Sequence, residues 1–188
     1  AAALRMIDLA PPRAAPSSFD RLKLLAIGAS TGGPAAIQSI MATLPGDLPC
    51  AVAIAQHMPP GFTASFAERL NRLSSWRISE AVTGHACRAG EVLICPGGCH
   101  LSFERDGERV RVVLEDANQD DRYVPSVDRM MASAAETFGG DLIAVILTGM
   151  GHDGRRGIGL VKKRGGFTIA ESEETAVVFG MPFEAIQG

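Results

Sequence analysis

Ser30 lies in GASTGG (28–33), directly behind the apolar run LKLLAI. Residues 28–32 have the G-x-S-x-G spacing of a nucleophile elbow, a sharp strand-to-helix turn that pushes a serine oxygen outward between small neighbours. The same glycines suit a turn that cradles a phosphate. However, the stretch contains neither G-x-G-x-x-G nor G-x-x-x-x-G-K-[ST], and AVAIAQHMPP brings no acidic residue for a ribose hydroxyl. A serine nucleophile needs a base, and the base needs an orienting acid. The imidazoles on offer are His57, His85, His100 and His152. His57 directly follows AVAIAQ, whereas His152 and Asp153 share the loop LTGMGHDGRRG behind DLIAVILT. Two sets follow. One is Ser30, His57 and Asp153; the other is Ser30, Asp120 or Asp121, and His152, which has the chain order of the α/β-hydrolases. Geometry rather than order defines a triad, so the residues alone leave both open. Glycines at 149, 151, 154 and 157 imply that the backbone of that loop approaches something closely.

Other chemistries find less support. His85, Cys87, Cys95, Cys99 and His100 fall close together, but Cys95 ends the strand-like run EVLIC and lacks a matching second pair, so no metal ligand is assigned. The four cysteines read as reduced, because a chain of 188 residues has core enough without disulfides. A net charge of -3 from 18 basic and 21 acidic residues, mixed along the chain, points away from nucleic acid and anionic membrane surfaces. The sequence contains no long apolar run and no secretion signal at its start, so the expected protein is soluble and cytoplasmic.

These residues need a frame. LKLLAI (22–27), AVAIAQ (51–56), EVLIC (91–95), DLIAVILT (141–148) and FTIA (167–170) read as strands. Helical patterns separate them: PAAIQSIMATL after Pro34, FTASFAERLNRLS from Phe62, VPSVDRMMASAAETF over 124–138, and RRGIGLVKKRG from Arg155. LSF and RVRVVL around a DG turn predict an antiparallel hairpin. The alternation gives a doubly wound, mostly parallel α/β sheet with helices on both faces. Its parallel strands bring Ser30 and His57 to one carboxyl edge, where such folds bind ligands. Phe62, Phe66, Leu70 and Leu73 form one apolar face, expected to pack into the core. Residues 1–20, rich in Ala, Pro and Ser, read as a linker ahead of a domain over 21–188, and FEAIQG reads as a helix cut short.

Taken together, IGASTGGP (27–34), QHMPPGFTASFAERL (56–70), PGGCHLSF (96–103), YVPSVDRMMASAA (123–135), LTGMGHDGRRG (147–157) and GGFTIAESEETAVVFGMP (165–182) resemble the catalytic domain of the protein-glutamate methylesterase (CheB) family of bacterial chemotaxis. The resemblance implies Ser30 as nucleophile, His57 as base and Asp153 as its orienter. It further implies hydrolysis of glutamate γ-methyl esters on the cytoplasmic helical bundle of a chemoreceptor, with glutaminyl deamidation as an extension and no metal or organic cofactor. A phosphorylatable receiver domain would precede the linker in a full-length member, and the last short piece of the catalytic domain is expected to be missing. Members commonly carry Gln and Asp where this chain has Glu171 and Ser172.

Within that mechanism the oxyanion needs preorganised N–H donors, for which the amides of Thr31 and Met150 are candidates. The Thr31 hydroxyl is either a further donor or a simple turn bond. Arg155 and Arg156 are candidate contacts to receptor carboxylates, or else a solvated helix start. Two other readings are a non-enzymatic α/β module that binds an anion at the helix starting at Pro34, and a serine esterase of other specificity.

Overall fold

Small and branched residues alternate along CAVAIAQ, and this alternation decides how the sheet is covered. The computed structural model describes residues 22–188, so the expected linker over 1–20 lies outside the described residues. The strands β1 (Lys23–Ala29), β2 (Cys50–Gln56), β3 (Arg77–Glu80), β4 (Glu91–Ile94), β7 (Leu142–Ile146) and β8 (Phe167–Ala170) form one sheet in the order β3-β4-β2-β1-β7-β8. Every pairing in it is parallel. The hairpin strands β5 (Cys99–Asp106) and β6 (Arg109–Asp116) make a separate antiparallel sheet.

On one face, Val52 and Ile54 of β2 join Ile27, Val92 and Ile94 against Ile37 and Met41 of α1 (Gly33–Thr43) and Phe66, Ala67 and Leu70 of α2 (Phe62–Leu73). Each large aliphatic side chain buried there contributes about 1.5–3 kcal/mol. On the other face the centre of the sheet is lined by small residues, Ala26, Ala51, Ala53, Ala55 and Ala144, in one cluster with α3 (Val127–Phe138) and with the larger Leu24, Leu142 and Ile146 beside them. Small residues let that helix settle close to the sheet. At Gly28 the approach is extreme, since a β-carbon there would lie 2.2 Å from Val127 Cγ1. Beside α3 pack α4 (Arg155–Lys163) and the hairpin, and α5 (Gly180–Gln187) packs against α4, all in the same apolar cluster.

The doubly wound architecture agrees with the expectation, with local differences. The helix expected from Val124 begins at Val127, because Val124 precedes a proline and is disfavoured in helical geometry, and Ser126 caps the helix by accepting the Arg129 amide. The expected core stripe of α2 is shorter than its spacing suggests. Phe66 and Leu70 are buried, but Phe62 and Leu73 are 62% and 51% exposed, and Thr63 and Ala67 complete the inner face instead. No pattern announced β3, whose four residues RISE bury only Ile78 while pairing along the free side of β4.

The contact at Gly28 yields a size test. Gly28→Ala is expected to cost about 1–3 kcal/mol in urea unfolding, with part of the loss recovered by adding Val127→Ala. A Gly28→Ala protein as stable as its parent would show that α3 does not press on β1 at this point.

Candidate active site

The chain leaves β1 toward β2 and β4 on one side, and returns to β7 and β8 on the other. The carboxyl end of β1 is therefore the switch point, where neighbouring loops part and leave a crevice. Ser30 follows β1, His57 follows β2, and the loop from Leu147 to Gly154 follows β7. Main-chain bonds hold the three ends together: the His57 amide donates to Ala29 O (3.0 Å), the Ser30 amide to Thr148 O (3.0 Å), and the Leu147 amide to Gly28 O (2.9 Å). Gln56, at the buried end of β2, donates from Nε2 to both Ser30 O (2.9 Å) and His57 O (3.0 Å). One amide thus braces the serine turn against the histidine loop. A β-carbon at residue 33 would lie 2.0 Å from Gln56 Oε1, which is why the turn carries a second glycine there.

Asp153 is 2% exposed and its carboxylate is filled from several directions. Oδ2 accepts the Val127 amide (2.7 Å) and meets His57 Nε2 (2.8 Å), while Oδ1 accepts the Asp128 amide (2.9 Å) and the Ser126 hydroxyl (3.2 Å). The carboxylate therefore sits on the N-terminus of α3, where unpaired amides and the helix dipole favour negative charge. Asp128 returns the arrangement by accepting the Gly154 (3.0 Å) and Gly157 (2.8 Å) amides at the start of α4. Burial pushes the Asp153 carboxyl upward, but the hydrogen bonds from His57, Asp128 and Val127 outweigh it, and the net shift is downward.

With Nε2 committed to Asp153, His57 Nδ1 has no hydrogen-bond partner among the described residues. Tyr123 stacks on the imidazole, with centroids 5.2 Å apart and planes 12° from parallel. Among the described residues Ser30 Oγ makes no hydrogen bond to the ring. The amides of Thr31 and Met150 donate to no acceptor among the described residues, and Thr31 stands at the positive end of α1. The Thr31 carbonyl accepts the Thr148 hydroxyl (2.8 Å). Glu171 is buried and accepts the Thr148 amide (2.7 Å), so its carboxylate fixes the end of β7.

The alternative set is not assembled. Asp121 pairs with His100 and Arg129, Asp120 is exposed on its loop, and His152 Nδ1 meets the Tyr123 hydroxyl (3.1 Å). His100 is itself structural: buried, it accepts the Ser126 amide at Nδ1 (3.0 Å) and so secures the cap of α3. His85 pairs with Glu91. Arg155 holds Glu184 (2.7 Å) and Arg156 holds Asp128 (3.1 Å), so neither offers an unpaired cation at the rim. Burial, aided by the charge of Glu91, pushes the Cys87 thiol up to about 12, and burial drives Cys95 upward as well. Among the described residues no group of three or more His, Cys, Asp and Glu side chains is placed to hold a metal ion. Sequence reasoning missed Gln56 and Tyr123. A polar residue closing an otherwise apolar buried strand was the available signal for the first; the second opens the family-like stretch YVPSVDRMMASAA, which does not say what it faces.

The fold and site define a doubly wound α/β domain with a serine, a histidine–aspartate pair and free main-chain donors gathered at its switch point. This chain belongs to the CheB methylesterase family, whose model matches residues 25–188. It is 58% identical over 172 residues to the protein-glutamate methylesterase/protein-glutamine glutaminase 3 of Geobacter sulfurreducens, covering 92% of this chain and 46% of that protein. A protein-glutamate methylesterase/protein-glutamine glutaminase of Archaeoglobus fulgidus is 46% identical over 161 residues, covering 86% and 46%. The crystal structure of the Thermotoga maritima CheB methylesterase catalytic domain superposes with a TM-score of 0.85 at 43% identity, covering 88% of each chain. The chain spans about half the length of the curated relatives it matches.

Because the Asp153 carboxyl is held below its ordinary value, its contribution to stability is complete above the unfolded carboxylate pKa of about 3.9 and is lost as pH falls through the lower folded value. Asp153→Asn removes that part of the acid sensitivity. It also turns an NH₂ group toward a helix amide, at a cost of about 1–3 kcal/mol at neutral pH. Urea titrations from pH 7 to pH 3 should show a less stable variant with a shallower acid slope; parallel curves would place the carboxylate's stabilising role elsewhere.

Proposed function

We propose that this domain hydrolyses γ-methyl esters of glutamate side chains on bacterial chemoreceptors, releasing methanol through an acyl-serine intermediate. The observation that carries the reading is the 2.8 Å bond between His57 Nε2 and Asp153, with His57 and Ser30 each one residue beyond Gln56 and Ala29, the last register pair of two neighbouring parallel strands. In this reading His57 Nδ1 takes the Ser30 proton as Oγ attacks the ester carbonyl, and the imidazolium then protonates the departing methoxide. Asp153 fixes the tautomer and balances the imidazolium charge. The Thr31 and Met150 amides receive the oxyanion, and water repeats the attack to free Ser30 and a glutamate carboxylate. Acting on a glutamine side chain, the same acyl chemistry would release ammonia, and the curated relatives are also named glutaminases.

The proposed partner is the folded cytoplasmic bundle of a methylated receptor, which places the domain in the cytoplasm. Among the described residues no helix is long and apolar enough to cross a membrane. Residues 1–20 serve as the linker to a phosphorylatable receiver domain in the full-length protein, and 21–188 as the catalytic domain. Contact of Arg155 and Arg156 with receptor carboxylates requires them to exchange Glu184 and Asp128 for the substrate.

Ser30→Ala and His57→Ala are each expected to lower methanol release by about 10³-fold or more, while His152→Ala falls by less than about 10-fold. Near-normal turnover by Ser30→Ala would end the nucleophile assignment, and a dead His152→Ala beside an active His57→Ala would move the base. Specificity is tested separately at equal ester concentration. Hydrolysis on the folded receptor bundle should exceed that on short unstructured peptides, and equal rates would remove surface recognition from the account.

A further inference from the structure

Tyr123 enters the site from the turn ahead of α3 and is more firmly placed than a loop aromatic needs to be. Its hydroxyl meets His152 Nδ1 at 3.1 Å, and the His152 ring packs edge-on at 5.6 Å and 72°. The loop after β7 leaves room for it by carrying glycine at 151, where a β-carbon would lie 2.5 Å from the phenol oxygen. Arg122 lies 5.3 Å from the ring centroid. Held in this way, the phenol ring lies parallel to His57.

We infer that Tyr123 is a positioning residue for His57, setting the plane of the imidazole and with it the direction of the Nδ1 lone pair. The inference rests on the reading of His57 as the base. A single hydrogen bond from Nε2 to Asp153 fixes one point of the ring and leaves rotation about that line unopposed. A parallel aromatic face removes that freedom, because tilting the imidazole drives its edge into the phenol ring. Proton abstraction depends on alignment, and small misplacements of a reacting group cost large factors in rate. His152 acts one step further out, as the anchor of Tyr123. It thus has a role near the site without being the base.

The test combines substitution with a double-mutant cycle. Tyr123→Leu, Tyr123→Phe, His57→Ala and His57→Ala/Tyr123→Leu are assayed in the same chain on methylated receptor and on p-nitrophenyl acetate. The small ester reports acylation of Ser30 without receptor recognition. Tyr123→Leu is expected to lose about 10- to 100-fold in kcat with KM changed by less than about 2-fold. Tyr123→Phe, which keeps the aromatic face, recovers most of that loss. In the His57→Ala background Tyr123→Leu should cost nothing further, because a residue acting through His57 has nothing left to position. A wild-type kcat for Tyr123→Leu, or an equal loss in the His57→Ala background, would overturn the inference while leaving the triad standing. Full activity of His57→Ala alone would overturn both. Nuclear Overhauser cross-peaks between the His57 and Tyr123 rings of the unsubstituted protein provide a check that needs no variant to fold, and their absence would sink the stacked arrangement.

Discussion

Two helices exchange carboxylates at their N-termini. Asp153, one residue before the cap of α4, occupies the amides of α3; Asp128, in the first turn of α3, occupies the amides of α4. A helix start leaves backbone donors unpaired, and a buried carboxylate without donors is costly. Each aspartate here resolves both problems for the opposite helix. The pairing also fixes the distance between the two helix starts, so His57, the fourth partner of Asp153 beside the Val127 and Asp128 amides and the Ser126 hydroxyl, is met by a carboxylate whose position is already determined. In the proposed mechanism a group held in this way would not need to reorganise as the imidazole became charged, which is the property asked of an orienting acid.

The exchange works only if α3 reaches the carboxyl edge of the sheet. Alanines on one face of β1, β2 and β7 provide that approach, and Gly28 completes it beneath Val127, the first residue of α3. Gly157 does the same between the helices, where a β-carbon would lie 2.7 Å from Met131 Cβ. The first glycine of GASTGG is thus required by a helix nearly a hundred positions away in sequence. Gly32, at φ 83° and tight against Val177, and Gly33, tight against Gln56, are required by the turn itself.

That difference marks what the sequence made legible. Strand runs, helix periods and the carboxyl-edge placement of Ser30, His57 and Asp153 follow from local pattern, because strand, turn and helix residues obey short-range rules. What escaped depends on partners distant in sequence. Whether Phe62 and Leu73 are covered is decided by how far α1 and the sheet extend, and periodicity carries no such information. The short β3 exists because β4 offers an unpaired edge. The pairing of Arg155 with Glu184 arises from the docking of α5 beside α4. Tyr123 reaches His57 across a gap of 66 positions; it opens the stretch YVPSVDRMMASAA, but nothing in that stretch says which residue it faces.

Glu171 shows how a residue outside the proposed chemistry can brace its setting. Its buried carboxylate takes the Thr148 amide, and the Thr148 hydroxyl then donates to Thr31 O while accepting the Val178 amide. From the same side the Gly149 amide donates to Val178 O, and Gly149 O accepts the Met181 amide. Residues 148 and 149 are therefore clamped between the serine turn and the chain segment ending at Met181. Met150 is the next residue, 73% exposed and with its amide donating to no acceptor among the described residues. An amide that follows two fixed peptides has little freedom to turn away, and a donor already aimed before the reaction stabilises developing charge without paying for reorientation. The segment behind β8 contributes no reacting group, yet it is what would make an oxyanion site at Met150 rigid rather than a mobile loop.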